Sequence, residues 1–291
     1  MKLFVTGSTG YIGGDAIHAI VKAHPEYEIT ALVRNTDKGA QVAAEYPKVK
    51  LVYGDLDSSD LLEEESKKAD VVCHWADADH EASAKAINHQ RNVDKIVQSV
   101  RDGHTVKSAI VCPPCIYGAG RGPGNQTSVQ VPALARYTLQ QGHGIQVGAG
   151  KTFWTQIHVH DLSDLYLKLV EAASDGGGSA TWNDEGYYFC EAGDLVWGDV
   201  ARQVAQSAHK QGFLKDDQVK QYSPDEVKKI VSYGPALWGC NSRCRAIRAG
   251  KLLGWKACSP SLKEEIDATV LVEAKKQELV VGHAKVAAGE A

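Results

Sequence analysis

From residue 2 to about residue 112, short apolar runs rich in β-branched residues alternate with longer stretches in which apolar positions recur every three to four residues. That alternation is the pattern of βαβ units on a parallel sheet. It predicts strands at 2–6, 28–33, 49–53, 70–74 and 106–112, and helices at 11–23, 38–45, 59–68 and about 80–102. The strand runs lack strict apolar/polar alternation, as expected of a sheet covered on both faces. Residues Asp55 to Asp60 supply a turn and an N-cap for the third helix. The fold class is therefore α/β, a Rossmann-type doubly wound parallel sheet.

After Cys112 the texture changes. A Gly/Pro-rich loop runs from Pro113 to Gly124 and is too broken for the interior of an element. Beyond it the pattern predicts a helix at 128–141, a strand at 155–159, a helix at 161–173, a strand at 187–190, and helical stretches at 198–211 and 262–276, with Gly176-Gly177-Gly178-Ser179 as a flexible link. The expected organisation is a dinucleotide-binding domain over 1–140, a smaller substrate lobe over 141–276 with elements returning to the sheet, and a frayed tail over 277–291.

Composition narrows the functions. The 291 residues carry 32 Lys+Arg and 36 Asp+Glu, a net charge of −4 with no basic block, so nucleic acid has no electrostatic footprint here. Apolar stretches such as Ala109–Cys112 fall far short of the ~18 residues that span a bilayer, and the first strand reaches a Gly-rich turn too soon for a signal peptide. Seven cysteines at irregular spacing read as reduced thiols, and the expected compartment is the cytoplasm. The expected partner is a small-molecule substrate, with no membrane and no nucleic acid.

The first βα turn is Gly7-Ser8-Thr9-Gly10-Tyr11-Ile12-Gly13. The first glycine permits a tight turn, the second lets backbone N–H groups approach a pyrophosphate, and the third lets the helix pack close to the strand. Its place after a strand and before an amphipathic helix is the context this motif requires. At the end of the second strand, an acid would bind a ribose 2′-hydroxyl and an arginine would accept a 2′-phosphate. Arg34 stands there with Lys38 one turn on, which favours NADP(H) over NAD(H). Asp55 and Leu56 are placed to flank the adenine, and Ala76 to line the ribose side.

Together with Gly54-Asp55-Leu56, Pro114-x-x-Tyr117-Gly118, His158-Val159-x-Asp161 and Leu253-Gly254-Trp255-Lys256, these motifs resemble the extended and atypical short-chain dehydrogenase/reductases. That group includes NAD-dependent epimerase/dehydratases and NmrA-like proteins. The resemblance covers residues 1 to about 270 in matching order. It implies that nicotinamide lies over the Pro113–Tyr117 loop, touching Pro113 and Ile116. It also implies a catalytic Tyr-x-x-x-Lys on a helix, where lysine lowers the phenol pKa and tyrosine exchanges a proton with a carbonyl.

That pair is missing. The one match in spacing, Tyr46 to Lys50, contains proline and leads into the third strand. The strand and helix that carry the pair in the family are absent as one block, and the strand at 106–112 is expected to lie directly beside 70–74. Proton delivery then falls to Tyr117, to His158 or to water. Cys112-Pro-Pro-Cys115 has redox spacing but ends a strand instead of starting a helix, and a four-thiolate set with Cys240 and Cys244 is weaker still, so no metal is expected. His158 and His160 read as structural, with Asp161 as a helix N-cap, whereas Trp154 and Tyr117 flank the loops over the nicotinamide. The expected function is an NADP(H)-dependent reductase of a small carbonyl or enone with weakened catalysis. The alternative is a non-catalytic, NmrA-like dinucleotide sensor.

Overall fold

The computed structural model describes residues 1–77 and 107–279. The helix expected at 80–102, the first residue of the strand at 106–112 and most of the tail lie outside those residues. The first half builds β1 (Lys2–Thr6), α1 (Tyr11–Ala23), β2 (Glu28–Val33), α2 (Thr36–Glu45), β3 (Lys50–Tyr53), α3 (Ser59–Lys68) and β4 (Val71–His74). The strands are parallel in the order β3-β2-β1-β4. Successive residues of β1 point to opposite faces. Leu3 and Val5 enter one core with Ile17 and Ile20 of α1, and Phe4 enters another with Leu32 and Leu62 of α3. Both faces of the sheet are covered, which is why its strands do not alternate. Helix α2 starts two residues earlier than the periodicity predicts, because the Asn35 side chain accepts from the Lys38 N–H and caps it.

The second half carries β5 (Ile110–Cys112), β6 (Cys115–Tyr117), α4 (Gln130–Gln141), β7 (Gly144–Val147), β8 (Phe153–His158), α5 (Val159–Ser174), β9 (Tyr187–Phe189), β10 (Asp194–Val196), α6 (Trp197–Lys210), β11 (Val219–Tyr222), α7 (Pro224–Ile230), α8 (Gly234–Trp238), α9 (Ile247–Leu253) and α10 (Leu262–Lys276). Strands β10-β8-β6 form a small sheet, and β11 pairs with β7. Helices α4, α6 and α10 share a second large core through Leu134, Val204, Ile266 and Val270, to which Tyr117 and Trp197 also belong.

The expected pairing of the 106–112 strand with β4 is not what the structure contains. Among the described residues β4 pairs only with β1, and β5 pairs in parallel with β9. Strand β5 is held by that ladder and by Ala109 and Val111, which pack with Leu162, Leu165 and Tyr188. Moving it against β4 would break both. Helix α5 joins the two halves: Leu167 and Val170 pack into the β1–β4 core, while Leu162, Leu165 and Leu169 pack beneath β5 and β9.

Candidate cofactor site

The turn from β1 into α1 needs glycine at 7 for conformation, φ being +77°, and glycine at 13 for space. A methyl group on Gly7 would lie 2.7 Å from the Trp75 carbonyl carbon, and one on Gly13 2.4 Å from the Gly7 carbonyl oxygen. The glycine loop is thereby seated on the backbone of Trp75 and Ala76. Thr6 Oγ1 and His74 Nδ1 lie 2.7 Å apart and tie the ends of β1 and β4 together at this point. Sequence reading missed that contact, which follows from the register pairing Thr6 with His74.

Gly10 N–H donates to the Gly7 carbonyl and Gly14 N–H to the Gly10 carbonyl, both at 2.9 Å, whereas the N–H groups of Tyr11, Ile12 and Gly13 have no backbone acceptor among the described residues. They stand at the positive end of α1. Beside them in the chain, Ser8 Oγ is buried with no hydrogen-bond partner among the described residues. An unsatisfied buried hydroxyl costs about 1–3 kcal/mol. Three first-turn donors with a hydroxyl in need of a partner are the set that a phosphate satisfies. The residues present fit a dinucleotide pyrophosphate.

At the other end, Arg34 is exposed, and among the described residues no acid pairs with it. Gly54 N–H donates to the Val33 carbonyl at 3.1 Å, which brings the Asp55-Leu56 turn next to Arg34. The Asp55 carboxylate accepts from Ser58 Oγ and Asp57 N–H, both at 3.0 Å. The Ser58 hydrogen bond, followed by that of Asp57, holds it below the usual carboxylate range. Leu56 packs against the Phe4, Leu32 and Leu62 core.

On the nicotinamide side, Pro113 lies between β5 and β6, and Ile116 packs in one cluster with Ile12 of α1. Tyr117 and His158 come together edge to face, ring centroids 5.3 Å apart, but both are enclosed, at 3% and 2% exposure. The Tyr117 hydroxyl donates to the Pro260 carbonyl at 2.9 Å, and burial, then the nearby Asp161, pushes its phenol up. His158 Nδ1 accepts from His160 N–H at 3.1 Å, and burial, then His160, pulls its pKa down to about 4. In this arrangement Tyr117's one proton is engaged and His158 is neutral at pH 7.

His158, not Asp161, caps α5. The Asp161 carboxylate instead accepts from the N–H groups of Cys258 and Ser259 and from Ser259 Oγ, pinning the α9–α10 connection to α5. The cap lands on His158 because β8 runs into the helix without a loop. Trp154 is a lobe residue, its indole N–H on the Cys240 carbonyl at 2.8 Å. Burial pushes the Cys115 thiol up to about 12 and Cys112 also upward, which makes poor nucleophiles of both.

The depressed pKa of His158 has a measurable consequence. Unfolded, it titrates near 6.5; folded, near 4. Between those values the unfolded chain binds a proton that the folded chain does not, so stability falls as pH drops from about 6.5 to 4, by about 3 kcal/mol for this group, and is flat below. Urea unfolding at pH 7 and pH 4 should show the loss. His158→Gln should remove most of it, and an unchanged slope in that variant would contradict the assignment.

The same fold recurs in known proteins. Solved structures of DesIV, a dTDP-glucose 4,6-dehydratase from Streptomyces venezuelae with NAD and TYD bound, and of UDP-glucuronic acid 4-epimerase from Bacillus cereus in complex with UDP-glucuronic acid and NAD, superpose with TM-scores of 0.68 and 0.66 at 15% and 12% identity. They cover 96% and 95% of this chain and 98% and 100% of theirs. A family described as NAD(P)H-binding matches residues 7–146. Oxidase ucsJ from an Acremonium species is 33% identical over 341 residues, covering 94% of this chain and 98% of the relative. The chain belongs to one NAD(P)-binding family with this oxidase, and it shares the Rossmann-type fold of the epimerase/dehydratase structures. The Acremonium alignment has more positions than this chain has residues, so the relative carries residues within the matched span that this chain lacks. Nor do Tyr46 and Lys50 stand in for the family's pair. Tyr46 is buried at the end of α2 with its hydroxyl 3.3 Å from His18 Nδ1, and Lys50 is an exposed residue of β3. Among the described residues no helix is long and apolar enough to cross a membrane.

Proposed function

We propose that this chain binds NADP(H) and acts as a reductase of a small carbonyl or enone substrate with weakened catalysis. The observation that carries the reading is the glycine loop, with three first-turn N–H groups and a buried Ser8 hydroxyl that have no partner among the described residues. In this reading residues 7–13 hold the pyrophosphate and Arg34 the 2′-phosphate. Asp55 and Leu56 flank the adenine, Ala76 lines the ribose, and Pro113 and Ile116 back the nicotinamide. The nicotinamide, when bound, supplies or accepts a hydride. The lobe beyond α4 shapes the substrate pocket. The engagement of Tyr117 by Pro260 favours a second reading from another class, a dinucleotide sensor that binds cofactor without turnover. Cofactor-dependent association with a partner, without product, would select it.

Cofactor choice tests the first reading. Arg34 is free to pair with a 2′-phosphate, and a hydrogen bond to a charged group contributes about 1.5–3 kcal/mol, roughly 10–100-fold in affinity. Fluorescence titration should find NADPH bound tighter than NADH by that order. Arg34→Asp should erase or invert the preference. Equal affinities in the unaltered chain would sink the assignment.

A further inference from the structure

The Gly/Pro loop is not a loose connection. Residues 118, 120, 122 and 124 are all glycine. Each of these glycines is pressed against a neighbour. A methyl group would lie 2.2 Å from His158 Nε2 at Gly118, 3.3 Å from the Tyr11 ring at Gly120, 2.4 Å from the Gly14 carbonyl carbon at Gly122, and 2.2 Å from the Thr9 carbonyl oxygen at Gly124. Three of the four surfaces met are residues 9–14, the dinucleotide loop and the first turn of α1.

This strap is fastened along its length. Tyr11 donates its hydroxyl proton to the Gly118 carbonyl at 2.7 Å, and Asn125 N–H donates to the Thr9 carbonyl at 3.0 Å. In the middle, Arg121 makes a forked pair with Asp15 of α1, Nε to Oδ1 at 2.9 Å and Nη2 to Oδ2 at 2.7 Å, with its own N–H on Oδ1 at 2.8 Å. Asp15 is fully buried and also accepts from Ser163 Oγ at 2.6 Å. Burial alone would raise its carboxyl pKa. The Arg121 and Ser163 hydrogen bonds outweigh burial and hold it below the usual range. His160 Nε2 lies 3.0 Å from the Ala119 carbonyl and 3.7 Å from Asp15 Oδ1. The histidine pair at 158 and 160 thus contacts the strap.

The fastening acts on the loop that meets the phosphates. A peptide group is planar and trans, so fixing the Thr9 carbonyl on Asn125 fixes the direction of the Gly10 N–H, which closes the turn on Gly7. Donors already held in place lose less freedom on binding. We propose that the 118–125 strap preorganises the dinucleotide loop and that Arg121, through Asp15, is a positioning residue for binding of the pyrophosphate. The proposal rests on the reading of residues 7–13 as an NADP(H) site.

Two ligands separate the possibilities. NADPH engages the whole site, whereas adenosine 2′-monophosphate engages only the Arg34 end. Binding of both is measured for the unaltered chain, Arg121→Lys, Arg121→Ala and Gly124→Ala. NADPH affinity should fall in the order unaltered, Lys, Ala, with a loss on the order of tenfold for Arg121→Ala, about the worth of one phosphate hydrogen bond. Gly124→Ala should behave like Arg121→Ala, and adenosine 2′-monophosphate should bind all four alike. Trypsin should cut Gly124→Ala after Arg121 while sparing the unaltered chain. Unchanged NADPH affinity in both Arg121 variants, or equal loss of both ligands, overturns the positioning role and leaves the cofactor site standing. Failure of the unaltered chain to bind NADPH overturns both readings.

Discussion

Reduction of simple aldehydes and ketones with NADPH should be slow or undetectable in this chain even at saturating cofactor. A positioned general acid contributes typically ~10²–10⁴-fold. The family's Tyr-x-x-x-Lys is missing from the sequence. Tyr117 has its proton on the Pro260 carbonyl, and His158 is neutral with its Nδ1 engaged by the His160 N–H. Of the three donors considered, that leaves water. Cofactor binding draws on α1 and β2 and should persist, so binding and turnover part company. The check is a steady-state assay alongside the binding titration, with Tyr117→Phe and His158→Ala included. Brisk turnover left intact by both substitutions would mean that the proton comes from a group unassigned here.

Gly13→Ala should cost several kcal/mol of stability and abolish cofactor binding. Its methyl group would lie 2.4 Å from the Gly7 carbonyl oxygen and 2.8 Å from its carbon, both backbone atoms that cannot rotate away. Relief requires α1 to move off β1, which opens the core of Leu3, Val5, Ile17 and Ile20. Overpacking costs typically about 1–3 kcal/mol, and more where backbone must shift. Gly250→Ala in α9 is the control. There the nearest atom is 3.7 Å away, and alanine in a helix gains about 0.5–1 kcal/mol over glycine. Thermal unfolding of both variants should give shifts of opposite sign. A Gly13→Ala protein as stable as the unaltered chain would refute the close packing at the turn.

Much of the first half was legible in the sequence. Strands β1 and β2 and helix α3 fall on the residues that periodicity assigns them, and so does α10 near the other end, because each carries its own signal in apolar spacing. The glycine loop was equally readable, since Gly7 answers the local need for a positive φ and Gly13 a close approach to Gly7 a few positions away. Strands β6, β7, β10 and β11 were not read, being three or four residues long and stabilised by partners far along the chain.

The sequence by itself therefore determined the Rossmann class, the place of the glycine loop and the absence of a Tyr-Lys pair, all of which depend on local spacing. Only the tertiary structure decided where the 106–112 strand goes. Its β5 portion follows β9 and the α5 core, where the parallel ladder and the apolar contacts of Val111 hold it. Tertiary structure also decided the parts played by Tyr117, His158 and the Gly/Pro loop. Whether a phenol gives a proton to substrate or to Pro260, and whether a glycine-rich segment is slack or strapped down by Arg121 on Asp15, depends on groups more than a hundred residues away that no spacing rule connects.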